Sequence, residues 1–205
     1  MTLLETAIAR SYYRIIEAML LKPLMRIFSH PNQFTILGLA VAALVPLGFL
    51  WHAAAGVCAI LISAVVDSLD GLMARKTNQG SLFGAFLDSS LDRVSDFFYL
   101  AGFWLMFRQL PHFTWASFLT MFAVLCTVLI SYTKARAEGL SGSCSVGLMG
   151  RAQRVIFLII WGTALVLFPA AQGQILWWGL ALYLALTAFT VVQRILHVKN
   201  TGLPE

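Results

Sequence analysis

Five aspartates, Asp67, Asp70, Asp88, Asp92 and Asp96, crowd into one thirty-residue window of a chain that holds nine acidic residues in all. A carboxylate inside a membrane-spanning run costs roughly 2.5–3.5 kcal/mol on insertion scales, so several together require cations to neutralise them. Asp67 and Asp70 stand three residues apart, and Asp88, Asp92 and Asp96 follow one another at steps of four. On helices each set shares one face. The polar turn Asn78-Gln79-Gly80 between them folds two helices antiparallel, which lets those faces meet. Salt bridges to Arg75 and Arg93 are the plainer explanation, but two arginines do not neutralise five carboxylates. An all-oxygen donor set without nearby His or Cys suits Mg²⁺ or Mn²⁺ rather than zinc. Asp96 stays open between supporting the other four and pairing with Arg93.

The elements that carry these residues follow from composition. Of 205 residues, 60% are hydrophobic and 11% charged, and the mean hydropathy is +0.82. Soluble domains carry about 25% charged residues, so bilayer rather than water is the expected solvent. Six spanning helices are expected near residues 34–51, 54–76, 82–108, 113–137, 152–169 and 174–197, each close to the roughly 20 residues a span needs. The fold class is therefore all-α and integral to the membrane. Thr2 and Glu5 have capping-box spacing. Arg10, Arg14 and Glu17 alternate with Ile8, Ile15, Met19 and Leu20, as in a helix lying in the interface and broken near Pro23. The expected organisation is an amphipathic interfacial helix over 1–29, a six-helix domain over 30–199 and a tail over 200–205. No cleavable signal peptide is expected at the first residues.

Charge sets the orientation. Arg10, Arg14, Lys22 and Arg26 precede the first span, Arg75 and Lys76 follow the second, and Lys134, Arg136, Arg151 and Arg154 flank the connection after the fourth. Arg194 and Lys199 end the sixth, whereas the other three connections offer only Arg108. The excess of basic residues on one side predicts cytoplasmic termini and a cytoplasmic aspartate cluster. The net charge of +5 is spread over fourteen Lys and Arg with no basic arm, so nucleic acid is not an expected partner and anionic lipid is. Cys58, Cys126 and Cys144 show no metal-ligand spacing.

The run Asp67-x-x-Asp70-Gly71-x-x-Ala74-Arg75, then eight residues, then Gly84-x-x-x-Asp88-x-x-x-Asp92 resembles the full signature of the CDP-alcohol phosphotransferases, with all eight fixed positions present. The resemblance extends from the Pro31-Asn32 turn into the sixth span. It implies a six-helix homodimer with a polar cavity open to the cytoplasm, in the inner or plasma membrane of a prokaryote. It implies about two divalent ions, with Asp67, Asp70 and Asp88 as ligands and Asp92 both a ligand and the base that accepts the acceptor-hydroxyl proton. Asn32, Gln33, Phe34, Thr35, Gly71, Arg75 and Ser81 are implied contacts of the CDP-linked donor. Those roles agree with physical chemistry. Divalent cations stabilise charge on a pyrophosphate during in-line displacement, Gly71 admits close approach to the helix backbone, and Gly84 and Ala74 permit tight helix packing.

The signature does not choose the acceptor alcohol. Ser131-Tyr132-Thr133-Lys134-Ala135-Arg136-Ala137-Glu138, followed by Gly150-Arg151-Ala152-Gln153-Arg154 and by Gln193-Arg194, resembles the phosphatidylinositol phosphate synthase branch of the family. That resemblance implies CDP-diacylglycerol as donor, an inositol phosphate as acceptor, and an acceptor-phosphate clamp of Ser131, Lys134, Arg154 and Arg194, with Arg136 and Arg151 beside them. Arginine suits the role because its fork makes bidentate bonds to phosphate. The same cations would also serve topology alone. One departure bears on the acceptor: where the wider family has Glu-Arg-Pro-Glu-Arg, this chain keeps both arginines and loses both acids and the proline. Glycerol phosphate is accordingly the alternative acceptor. A divalent-cation transporter is the non-enzymatic alternative.

Overall fold

A computed structural model describes residues 16–201, and every regular element in that range is helical. Six long helices dominate: α1 (Pro31–Trp51), α2 (Ala53–Thr77), α3 (Leu82–Met106), α4 (Phe113–Gly139), α5 (Arg151–Leu167) and α6 (Gln172–Thr201). Each coincides with an expected segment to within a few residues. Among the described residues, four stretches are long and apolar enough to cross a membrane: Pro31–Trp51, Ala53–Thr77, Phe113–Gly139 and Pro169–Thr201. The other two helices differ for physical reasons. α3 carries Asp88, Asp92, Arg93 and Asp96, and α5 has 17 residues, about 25 Å at 1.5 Å per residue.

Local chemistry sets the helix ends. Pro31 opens α1, where its missing N–H is no loss. Gln33 reaches back to accept from the N–H groups of Ser29 and His30 at 2.9 and 3.1 Å, which caps that end. Asn78, at φ 53°, turns the chain out of α2 in the left-handed region that asparagine tolerates. Ser81 then caps α3 by accepting from the Gly84 N–H at 3.0 Å.

The chain divides into two compact units, Met1–Ala43 with Ala59–Ser95, and Leu44–Cys58 with Asp96–Glu205. In the first, Ile16, Leu21, Phe34, Leu69 and Met73 form a buried apolar cluster. Ser63 Oγ donates to the Gly38 carbonyl at 2.8 Å, tying α1 to α2. In the second, α6 packs along α4 and α5. Phe103 stacks on Trp161 at 4.1 Å, and the Trp161 indole N–H donates to the Ile175 carbonyl at 3.0 Å. A Cβ on Gly162 would lie 2.5 Å from Val57 Cγ2, so only glycine fits there.

The expected interfacial helix falls largely on residues 1–15, outside the described residues. Next along the chain is a wide π-helical turn, Glu17–Leu21, running into Lys22–Leu24. Pro23 lacks the N–H a regular helix would use, which accounts for the break. Ile16 and Leu21 turn inward to the cluster, whereas Met19 and Ile27 are exposed.

Candidate metal centre

Within the first unit, α2 delivers Asp67 and Asp70 and α3 delivers Asp88. One carboxylate oxygen from each lies within 4.8 Å of the others. The donor set fits a hard divalent cation. Ligands 2.0–2.1 Å from one octahedral ion stand at most about 4.2 Å apart, so a small rotamer adjustment closes the trio. Asp92, expected as a further ligand, is not one of the three; it follows Asp88 by one helical turn and is half-buried.

Asp70 is held by two hydrogen bonds. Its Oδ2 accepts from the Thr35 hydroxyl at 2.7 Å, and its Oδ1 accepts from the Gly71 N–H. Thr35, expected as a donor contact, thus orients from α1 a carboxylate expected to hold metal. The other expected donor contacts divide by position. Asn32 on α1 and Ser81 at the head of α3 converge beside Gly84, where an added Cβ would lie 3.1 Å from Asn32 Oδ1 and Ser81 Oγ. Arg75 folds back along α2, its Nη1 3.5 Å from where a Gly71 Cβ would be. Gln33 caps α1. Phe34 is fully buried, packed on Phe28 with ring centroids 4.8 Å apart, so its side chain serves the core.

The second unit holds the expected acceptor residues. Arg194 is buried on α6, where its Nε donates to the Val146 carbonyl at 3.0 Å. Its Nη1 donates to the Ile130 carbonyl, next to Ser131. Arg154 is buried on α5 and donates to the Met149 carbonyl at 3.0 Å. Both arginines therefore grip the 146–149 segment, and Thr190 Oγ1 accepts from the Met149 N–H at 3.1 Å. Lys134 is exposed and 3.7 Å from Glu138, and Arg151 is half-buried. Arg136 is also exposed. It stands two residues from Lys134, and side chains so spaced do not face the same way.

Asp96 pairs with neither the carboxylate trio nor Arg93. Its Oδ2 accepts from Arg154 Nη2 at 2.6 Å, while Arg93 turns back to the Ser89 carbonyl one turn earlier. The side chains of Arg154 and Asp96 are 2% and 3% exposed, a charge pair removed from water. A buried donor left without a partner costs about 1–3 kcal/mol. Arg154 Nε is such a donor among the described residues. The Thr127–Tyr183 hydroxyl pair, 2.9 Å apart and buried, was likewise invisible to periodicity.

Comparison with known proteins places this geometry among relatives. The family model for CDP-alcohol phosphatidyltransferases matches residues 28–188. The chain is 33% identical over 173 residues to the archaetidylinositol phosphate synthase of Pyrococcus horikoshii, an alignment covering 83% of this chain and 84% of the relative. It is similar to the crystal structure of Mycobacterium tuberculosis phosphatidylinositol phosphate synthase with CDP-DAG bound, at a TM-score of 0.75 and 29% identity, covering 89% and 92% of the two chains. The same enzyme in complex with manganese and citrate matches at a TM-score of 0.72 and 27% identity, covering 85% of each chain.

Proposed function

The chain belongs to the CDP-alcohol phosphatidyltransferase family, and from that premise we propose that it transfers the phosphatidyl group of CDP-diacylglycerol to an inositol phosphate, releasing CMP. The observation that carries this reading is the meeting of Asp67, Asp70 and Asp88 within 4.8 Å, inside the family signature. The acceptor rests on relatives named for inositol phosphate products. The transporter alternative loses its basis with family membership.

Asp67, Asp70 and Asp88 would hold one divalent cation, and Asp92 with its neighbours a second. Such cations, when bound, neutralise the pyrophosphate and the charge that develops on the departing CMP. The chain's own groups do the rest. Thr35 and the Gly71 N–H restrain Asp70. Arg75 balances phosphate charge, and Asn32 and Ser81 line the donor side. Asp92 accepts the proton of the acceptor hydroxyl. The hydroxyl oxygen bonds to the lipid-linked phosphorus, the phosphorus–oxygen bond to CMP breaks, and CMP leaves with that electron pair. Ser131, Lys134, Arg154 and Arg194 hold the acceptor phosphate, and Arg151 adds positive charge; Arg136 stands on another face of α4.

The same reading has all six long helices crossing the membrane. It has a homodimer in a prokaryotic inner membrane, with termini and active site cytoplasmic. The excess of basic residues at one end supports that orientation. A parallel assay tests the acceptor. Purified protein with CDP-diacylglycerol and Mg²⁺ receives inositol phosphate, glycerol phosphate, inositol or serine, and CMP release is followed. Inositol phosphate is expected to be fastest. Faster release with glycerol phosphate overturns the assignment in favour of the loop departure at Gly150–Arg154.

A further inference from the structure

We propose that Asp96, which lies outside the carboxylate trio and outside the family signature, is the positioning residue for Arg154, holding its guanidinium ready for the acceptor's phosphate. The proposal rests on the reading of the acceptor as a phosphorylated polyol.

Three observations converge on it. The Asp96–Arg154 pair, at 2.6 Å with side chains 3% and 2% exposed, joins α3 to α5 within the second unit. Such a pair is a poor device for stability alone, because apolar side chains of similar volume commonly hold a core as well or better. The pair also leaves Arg154 incompletely used. A guanidinium carries five N–H donors. Nη2 serves Asp96, Nη1 serves the Met149 carbonyl, and the buried Nε has no hydrogen-bond partner among the described residues. Buried donors are nearly always satisfied, and one that is not calls for an unseen acceptor. Finally, Met149 is itself fixed by Thr190, and Arg194 holds Val146 three residues earlier. The guanidinium is thus pinned at two points against a segment that is anchored in turn. A phosphate, an anion with several acceptor oxygens, fits the donor left over.

In this arrangement Asp96 has two jobs. It is the resident counterion of Arg154 in a dry setting, and it fixes the plane of the fork before the acceptor arrives. Misplacing a binding group by an ångström weakens catalysis severely, so the pin matters even though Asp96 touches no substrate.

The test is the kinetic signature of Asp96→Asn, which keeps the shape and removes the charge, beside Arg154→Met and the double variant Asp96→Asn/Arg154→Met. The expected result is a KM for inositol phosphate raised by about tenfold or more, with the KM for CDP-diacylglycerol within about twofold of wild type. The double variant is expected to be no worse than Arg154→Met, since Asp96 acts through Arg154. Equal loss in both KM values, together with a lowered melting temperature, assigns the pair to the scaffold and overturns the proposal. If Asp96→Asn does not fold, the double variant replaces the pair with uncharged groups, and wild-type use of inositol phosphate by it overturns the proposal as well. Wild-type protein that prefers an unphosphorylated acceptor defeats the parent reading and this one together. Wild-type protein that takes inositol phosphate beside an unaffected Asp96→Asn defeats this one alone.

Discussion

Thr35→Val removes a hydroxyl and keeps the branch at Cβ. The side chain is 3% exposed, so little else touches water or changes packing. Its Oγ1 donates to Asp70 Oδ2 at 2.7 Å, and the Gly71 N–H serves the other oxygen of the same carboxylate. A hydrogen bond to a charged group contributes about 1.5–3 kcal/mol. At 1.36 kcal/mol per factor of ten, that corresponds to roughly 13- to 160-fold in an equilibrium constant. The Gly71 bond survives the substitution and still restrains Asp70, so the lower end applies: about tenfold weaker binding of the first divalent cation, within the range for groups that orient a metal ligand. The assay is a Mn²⁺ titration of purified protein, free Mn²⁺ being read by electron paramagnetic resonance, beside CMP release at rising Mn²⁺. The dissociation and activation constants should rise together, saturating Mn²⁺ should restore turnover, and Thr35→Ser should return both toward wild type. Unchanged Mn²⁺ binding in folded Thr35→Val refutes the reasoning. A raised donor KM with an unchanged metal constant would return Thr35 to the direct donor contact the sequence implies.

Asp92→Asn should cut CMP release by about 10²-fold or more, the usual contribution of a general base, while donor binding measured with labelled CDP-diacylglycerol persists; retained turnover removes Asp92 as base. Gly147→Ala places a side chain at φ +118°, with its Cβ 2.6 Å from Thr190 Cγ2. It should lower stability by about 1–3 kcal/mol in thermal unfolding and raise the KM for the acceptor, because Arg194 grips the adjacent Val146; an unaltered melting curve counts against the account of that loop. Removing residues 1–15 should weaken turnover of lipid donor more than melting temperature, and equal turnover dismisses a role for that segment. The cut stops short of Ile16 because that residue belongs to the buried cluster with Phe34 and Leu69.

Much of this was legible from residue spacing. Apolar runs set the six helices, because a helix solvated by lipid needs no polar face. The aspartate spacing brought five carboxylates onto facing helices, because two helices joined across Asn78–Gly80 bring i, i+3 and i, i+4 faces together; the family signature, not the spacing, separated Asp67, Asp70 and Asp88 from the rest. Partners far apart along the chain were not legible. Asp96 finds Arg154 rather than Arg93, three residues before it, since Arg93 is taken up by the Ser89 carbonyl on its own helix. Thr35 finds Asp70 because α1 packs against α2 there, as the Ser63–Gly38 bond also records. No periodicity encodes either pairing. The burial of Ile16 and Leu21 was not legible for another reason: an amphipathic stretch presents an apolar stripe whether it faces lipid or protein, and these two residues face protein.

On the proposed six-span reading, the polarity of α3 bears on how that helix enters the membrane. Asp88, Asp92, Arg93 and Asp96 lie on that one helix, and at roughly 2.5–3.5 kcal/mol each they burden its solitary partitioning by about 10–14 kcal/mol. Leaving the translocon one helix at a time would strand it. α2, ending only a short turn earlier, brings Asp67 and Asp70 beside Asp88, where one divalent cation would neutralise all three and make a paired entry favourable. Entry as a hairpin is then expected: α3 placed alone in a host membrane protein should fail to span, whereas the α2–α3 pair should span.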